Sequence, residues 1–359
     1  MYWIFIFIFI LFIFHHHGIP IFLYHQVNPK SKVNPKLLEE HLRWLSKKGY
    51  TTMTMSEYIE EGANKKTVLL TLDDGYYDNY KYVFPLLKKY NMKATIFLNT
   101  LYIAEERTKE EEIEENGVAN QKAILQYIET SCAESPQYMS WKEIQEMYDS
   151  GLVDFQAHSH KHMTVFSDNK LQGFFNGKEE DCTDTYLYGG KIKRGYPKFK
   201  KRGEYTLPGI QIDKKFFSLF EEYYHKTLQY IADNKRRIEE GQKFIENHSK
   251  YFHKVTDEEF ETRIREDYLE NKKKIEEHLG YEVNCFCWPW GHRSWASIQI
   301  LEKYGVKAFV TTKKGTNDQL PNLKFIKRIE LRNYSLQKFK WNVRITSNLI
   351  LGKLYSLVS

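Results

Sequence analysis

Cysteine is scarce in this 359-residue sequence, and its spacing is wrong for a metal knuckle. The four cysteines, Cys132, Cys182, Cys285 and Cys287, form no C-x-x-C pair and are too few to frame a chain of this length with disulfides. Cys285 and Cys287 lie two apart in a strand pattern, so they share a face and are expected as buried side chains. A basic tract is also missing: the formal charge of +6 is spread over many lysines and glutamates, which gives no reason to propose a nucleic-acid partner. Mild attraction to anionic surfaces or glycans remains open. No internal repeat is evident.

The opening run MYWIFIFIFILFIF is apolar for 14 residues, short of the roughly 20 that a helix needs to cross a bilayer. No Lys or Arg precedes it, and no small-residue cleavage site follows before His15, His16 and His17. Residues 1–17 are expected as an export signal or short membrane anchor. That places the protein at the cell envelope, membrane-anchored or exported, with attachment to the cytoplasmic membrane as the alternative.

What is present is an alternation of strands and helices. FLYHQV ends an apolar strand, Ile19 to Tyr24, with His25. Asn34 and Pro35 then start a helix with Leu38, Leu42 and Leu45 on one face. TVLLTL (67–72), a helix over 79–90 and ATIFL (94–98) follow. The acidic run 105–116 reads as a solvated excursion. Ser140 and Glu143 make a capping box before LVDFQA (152–157). NCFCW (284–288), a helix over 294–304 and KAFVT (307–311) repeat the order. Such alternation argues for a parallel α/β sheet. The length fits one large domain with an insertion, or two smaller domains. We divide the chain into 18–165, an insertion lobe over 166–256 that is largely helical in its second half, 257–340, and a basic tail over 341–359.

Polar residues at the strand ends have no packing use. Asp73 and Asp74 follow TVLLTL, and two adjacent carboxylates after a buried strand are costly unless a cation or proton separates their tasks. HSHKH follows LVDFQA; His158 and His162, four apart, can converge on one ion and with one Asp make a His2Asp site. Either motif alone is an ordinary turn or a surface histidine cluster. Both at carboxyl ends of strands point to an active site, because α/β folds build their sites there. In CWPWGHRS, Pro289 and Gly291 set a tight turn whose N–H groups can hold an oxyanion, and Trp288 and Trp290 could wall a sugar site.

With TLDDG, HSHKH and WPWG in that order, the sequence resembles the polysaccharide deacetylases, carbohydrate esterase family 4 with the NodB homology domain. The likeness covers about 18–165 and 260–330. It is strongest to the poly-N-acetylglucosamine deacetylase branch, through FLYHQV, HLRWLSKKGYTTMT, TVLLTLDDGYYDNY and MSWKEIQEM. The resemblance implies a distorted (β/α)7 barrel and a metal-dependent hydrolase, with zinc as the first choice among divalent ions. In that family a water activated on the ion attacks an acetamide carbonyl and releases acetate. By position, Asp73 would be the general base; Asp74, His158 and His162 the metal ligands; and Trp290 the source of the oxyanion-holding N–H. His160 would be a supporting residue.

Two departures accompany the match. Cys287 stands where many members carry the arginine that orients the base, which leaves Arg328 as one candidate for that task. No histidine follows His292, so the C-terminal Leu-x-His that often supplies the general acid is missing. Leu23, Tyr24 and His25 spell the same motif at the other terminus, and in a closed barrel the first and last strands are neighbours. His25 is therefore the preferred acid, with His292 second. The implied substrate is an N-acetylated polysaccharide or lipid-linked glycan. A glycan-binding protein on a degenerate scaffold, an O-acetyl esterase and a deformylase are the alternatives.

Overall fold

The computed structural model describes residues 17–107, 118–178, 181–331 and 335–357. The apolar opening segment, apart from His17, and most of the acidic run lie outside the described residues. The strands are β1 (Ile21–Tyr24), β2 (Thr51–Met53), β3 (Thr67–Asp74), β4 (Ala94–Leu98), β5 (Val153–Ala157), β6 (Thr164–Phe174), β7 (Pro197–Gly203), β8 (Ile210–Ile212), β9 (Phe252–Lys254), β10 (Cys285–Cys287), β11 (Ala308–Val310) and β12 (Ile329–Glu330). The helices are α1 (Pro35–Lys47), α2 (Met55–Glu61), α3 (Phe84–Tyr90), α4 (Val118–Thr130), α5 (Trp141–Asp149), α6 (Cys182–Tyr188), α7 (Lys214–Lys226), α8 (Asn234–Asn247), α9 (Asp257–Leu279), α10 (Trp295–Lys303), α11 (Leu336–Thr346) and α12 (Leu349–Leu357).

Seven strands pair in the order β11-β10-β5-β4-β3-β1-β12, with β2 added on β3. All these pairings are parallel. The two edges approach where Thr311 N–H donates to Ile326 O and Ile326 N–H to Phe309 O. Strands buried on both faces read as continuous apolar runs, which is why TVLLTL and ATIFL show no alternation. One face packs under the helices through Phe22, Leu70, Leu72, Ile96, Phe155 and Phe286. The other fills the barrel with Ile21, Leu69, Phe97, Cys285, Cys287 and Val310.

Local signals operate as written in the sequence. Asn34 caps α1 by accepting the Leu37 N–H, and the Ser140–Glu143 capping box starts α5. The helix expected over 79–90 divides into a π turn at Asn79–Val83 and α3. β3 runs two residues past TVLLTL and carries both aspartates.

Between β5 and α9 the chain builds a second layer. Its antiparallel sheet has the order β7-β6-β8-β9 and packs with α6, α7 and α8 around Phe166, Phe199, Phe216, Phe217 and Phe220. The Gly- and Lys-rich half of the insertion, which shows no period in sequence, is thus the β6–β7 part of a sheet. Residues 341–357 complete α11, turn at Ser347–Asn348 and form α12, and Phe339 of α11 stacks on His41 of α1 at 4.0 Å. The boundary at 340 therefore falls inside α11.

Candidate active site

Because the barrel strands are parallel, their carboxyl ends gather on one side and enclose a cavity of about 440 Å3. His25, Asp73, Asp74, His158, His162 and Trp290 all line it. Neighbouring residues of a strand face opposite ways, yet both aspartates reach the cavity. Asp74 sits at φ 81, which breaks the alternation at the end of β3. Ser159 (φ 75), His162 (φ 58) and Trp290 (φ 60) share this left-handed conformation. Such geometry costs about 1–3 kcal/mol per residue outside glycine and collects where a site demands it.

Asp73 is held by Arg328 in a bidentate pair, Nη1 to Oδ1 at 2.7 Å and Nη2 to Oδ2 at 2.8 Å. The guanidinium is fully buried and also donates to Thr311 O, Thr71 Oγ1 and Cys287 Sγ. Burial alone would raise the Asp73 carboxyl; the Arg328 and His158 charges and the Arg328 hydrogen bonds outweigh it and hold the group well below the usual carboxylate range. Arg328 comes from just before β12 and reaches past Cys287, the residue that occupies the arginine position of the resembling family.

His158 Nδ1 lies 2.9 Å from Cys287 O; a carbonyl can only accept, so Nδ1 carries the proton and Nε2 offers its lone pair. That Nε2 is 3.6 Å from Asp74 Oδ1, and His162 Nε2 is 3.7 Å from the same oxygen. Burial pushes both imidazoles down to about 4, so they are neutral near pH 7. Two ligands about 2.0–2.2 Å from one tetrahedral ion are separated by about 3.3–3.6 Å, so Asp74, His158 and His162 fit a small divalent cation. Asp73, His158 and Cys287 also offer converging atoms. That second set suits a cation poorly, because the Arg328 guanidinium lies against both Asp73 and Cys287 and burial drives the thiol pKa far up.

α9 secures the ligand loop. Asp267 accepts the N–H groups of His160 and Lys161, and Asn271 donates to Leu98 O and Ser159 O. Tyr205, from the inserted layer, donates to Asp267 at 2.6 Å. Asn99 Nδ2 donates to Asp74 Oδ1 at 2.9 Å. Sequence reading missed these supports; the one available signal was the Asp267–Asn271 spacing of four, which puts two polar side chains on the buried stripe of α9. His160 turns away to Thr100 Oγ1 and takes no place among the ligand atoms.

His25 stands at the end of β1, its Nδ1 3.8 Å from Glu330 Oε1 at the end of β12. Its loop is tied down by Asp78, which accepts from Val27 N–H and Asn28 Nδ2, and by Asn79 Nδ2 donating to His25 O. His292 lies outside the cavity, where its Nδ1 accepts the Gly203 N–H. Trp288 is core, stacked on Phe309 at 5.2 Å, whereas Trp290 is half exposed with its ring 4.6 Å from His162. Tyr76, Tyr138 and Tyr102 stack into an aromatic wall at 5.0 and 4.6 Å. Two buried atoms of the lining, Asn99 Oδ1 and Trp288 Nε1, have no hydrogen-bond partner among the described residues and suit a polar ligand.

The polysaccharide deacetylase sequence profile matches residues 60–181 and 213–309. The chain is similar to YxkH of Bacillus subtilis, a protein named for polysaccharide deacetylation: 33% identical over 162 residues, 42% of this chain and 55% of that one. It is 25% identical over 186 residues to the poly-beta-1,6-N-acetyl-D-glucosamine N-deacetylase of Staphylococcus epidermidis, covering 51% of this chain and 56% of that protein. The chain thus spans about half the length of these curated relatives. Among solved structures, a de-N-acetylase from Aggregatibacter actinomycetemcomitans superposes with a TM-score of 0.57 at 15% identity, covering 90% of this chain and 99% of that one. IcaB from Ammonifex degensii gives 0.53 at 18% identity, with 91% and 97% covered. These two likenesses concern the fold, a half-barrel of parallel strands with helices.

Proposed function

The chain belongs to the polysaccharide deacetylase family, and from that premise we propose that it is a divalent-metal-dependent hydrolase that removes acetyl groups from N-acetylated sugars of a cell-envelope polysaccharide. The observation that carries the reading is the placement of Asp73, held ionised by Arg328, with Oδ2 4.0 Å from His158 Nε2 in the Asp74–His158–His162 set. A divalent ion held by those three residues, zinc by its taste for imidazole and carboxylate, supplies the Lewis acidity that polarises an acetamide carbonyl and acidifies a water.

The chain's own groups then divide the proton traffic. Asp73 accepts the water proton as the water oxygen adds to the carbonyl carbon. The Trp290 backbone N–H, presented by the φ 60 turn, donates to the oxygen that gains charge. His25 delivers a proton to the departing nitrogen as the C–N bond breaks, leaving acetate and a free amine.

A polymer fits the surface better than a single sugar. A second groove of about 400 Å3, with Trp295, Phe325, Arg202 and Arg293, shares Gly291 with the main cavity and has room for a neighbouring unit. The glycan-binding alternative drew on the missing arginine and on the long insertion; Arg328 stands on Asp73, which removes the first of these grounds. The test is acetate release from N-acetylated envelope glycans: Asp73→Asn or chelation should abolish it, and wild-type rates in either case would refute the proposal. Mass spectrometry of the glycan separates the chemistries, since hydrolysis removes about 42 mass units per acetyl group and about 28 per formyl.

A further inference from the structure

α12 is apolar on two sides. Gly352 seals one side to the body, where a Cβ would meet Thr316 Cγ2 at 2.5 Å and the Thr346 backbone at 3.3 Å. The opposite arc carries Leu351, Leu354 and Leu357, of which Leu354 is 57% and Leu357 81% exposed. α11 adds Trp341, 47% exposed and edge-on to Tyr355 of α12 at 5.1 Å. A row of exposed leucines on a surface helix wastes hydrophobic free energy unless something covers it.

Three observations identify the cover. Residues 336–357 contain Lys338, Lys340, Arg344 and Lys353 and no Asp or Glu, so the two helices carry only positive side-chain charge, of which Lys353 is paired with Asp318 at 3.3 Å. Leucines beneath, an aromatic pair at the rim and lysines around them are the composition of a helix lying in the surface of an anionic bilayer. Finally, the chain that bears the apolar residues of the opening run enters the described structure here: His17 bridges Asn348 and Gly18 N–H donates to Ser347 O. Among the described residues no helix is long and apolar enough to cross a membrane, so contact here would be interfacial.

We propose that the outer face of α11 and α12 is a membrane-contact surface for anionic phospholipid. The placement sets an orientation. The turn between α11 and α12 adjoins the residues that lead into β1, whereas His25 and the cavity lie at the other end of that strand, roughly 20 Å away at about 3.3 Å per residue. A protein resting on the bilayer by α12 holds its cavity away from the lipid, which suits a polymer strand and excludes a sugar joined directly to a lipid headgroup.

Trp341 supplies the test. With the full chain and vesicles of brominated phosphatidylcholine containing phosphatidylglycerol, the emission lost in Trp341→Phe isolates that indole. It should be quenched with the anionic vesicles and much less with phosphatidylcholine alone. Leu354→Glu combined with Leu357→Glu should weaken partitioning at least tenfold while acetate release from a short soluble substrate is unchanged. That second readout is independent, so failure here leaves the deacetylase reading intact, and the reverse. Unquenched Trp341 emission, undiminished partitioning of the leucine variant, or a dimer that this variant converts to monomer would each overturn the proposal.

Discussion

Arg328 and Asp73 form a two-point pair that is wholly buried, the guanidinium arriving from a strand edge 255 residues further along the chain. Removing one member of such a pair leaves the other charge unpaired and costs about 3–5 kcal/mol. Arg328→Gln is therefore expected to lower the melting temperature. Burial, no longer countered, would raise the Asp73 carboxyl, and a base that must be ionised then loses activity first at low pH. The acidic limb of the rate profile should move to higher pH; an unmoved limb would show that Arg328 does not tune the base.

His25→Ala should bind zinc as the parent does and lose turnover by about 10²–10⁴, the usual contribution of a positioned acid or base. Calorimetric zinc titration beside acetate release separates the two effects. Full activity would return His25 to a packing role at the end of β1.

Asn271 bonds the carbonyl groups of Leu98 and Ser159 and touches no ligand atom. Asn271→Leu is expected to weaken zinc binding by about 10–100-fold, the effect seen when an outer support of a metal site is lost. His158 and His162 remain in that variant, so excess zinc should restore the rate. If affinity is unchanged, the loop holds itself.

His41 is buried against Phe339, and burial drives its pKa down to about 3. An unfolded histidine has a value of about 6.5, so the folded value is depressed. Its contribution to stability is present above about pH 6.5 and declines as pH falls towards 3, by about 1.4 kcal/mol per pH unit. His41→Leu should flatten the fall in denaturant stability between pH 6 and 4 relative to the parent; parallel curves would contradict the burial argument.

The motif residues were legible because local chemistry marks them. A carboxylate pair after a buried strand and two histidines four apart are costly wherever they occur, and the parallel sheet then brings Asp73, Asp74, His158, His162, His25 and Trp290 to one cavity. The inserted β6–β7 pair was not legible, since two antiparallel strands joined through α6, with register shifts between Phe166 and Leu171 and between Leu171 and Gly173, have no steady period of two.

By itself the sequence determined the alternation of strand and helix, the capped starts of α1 and α5, and the residue types at the strand ends, all of which depend on neighbours a few positions apart. Only the tertiary structure decided that Arg328 partners Asp73, that Asp267 and Asn271 hold the ligand loop, and that His292 is turned away to Gly203. Those pairings depend on sheet order and helix placement, where residues far apart in sequence meet because burying the two faces of one parallel sheet leaves their side chains no other place.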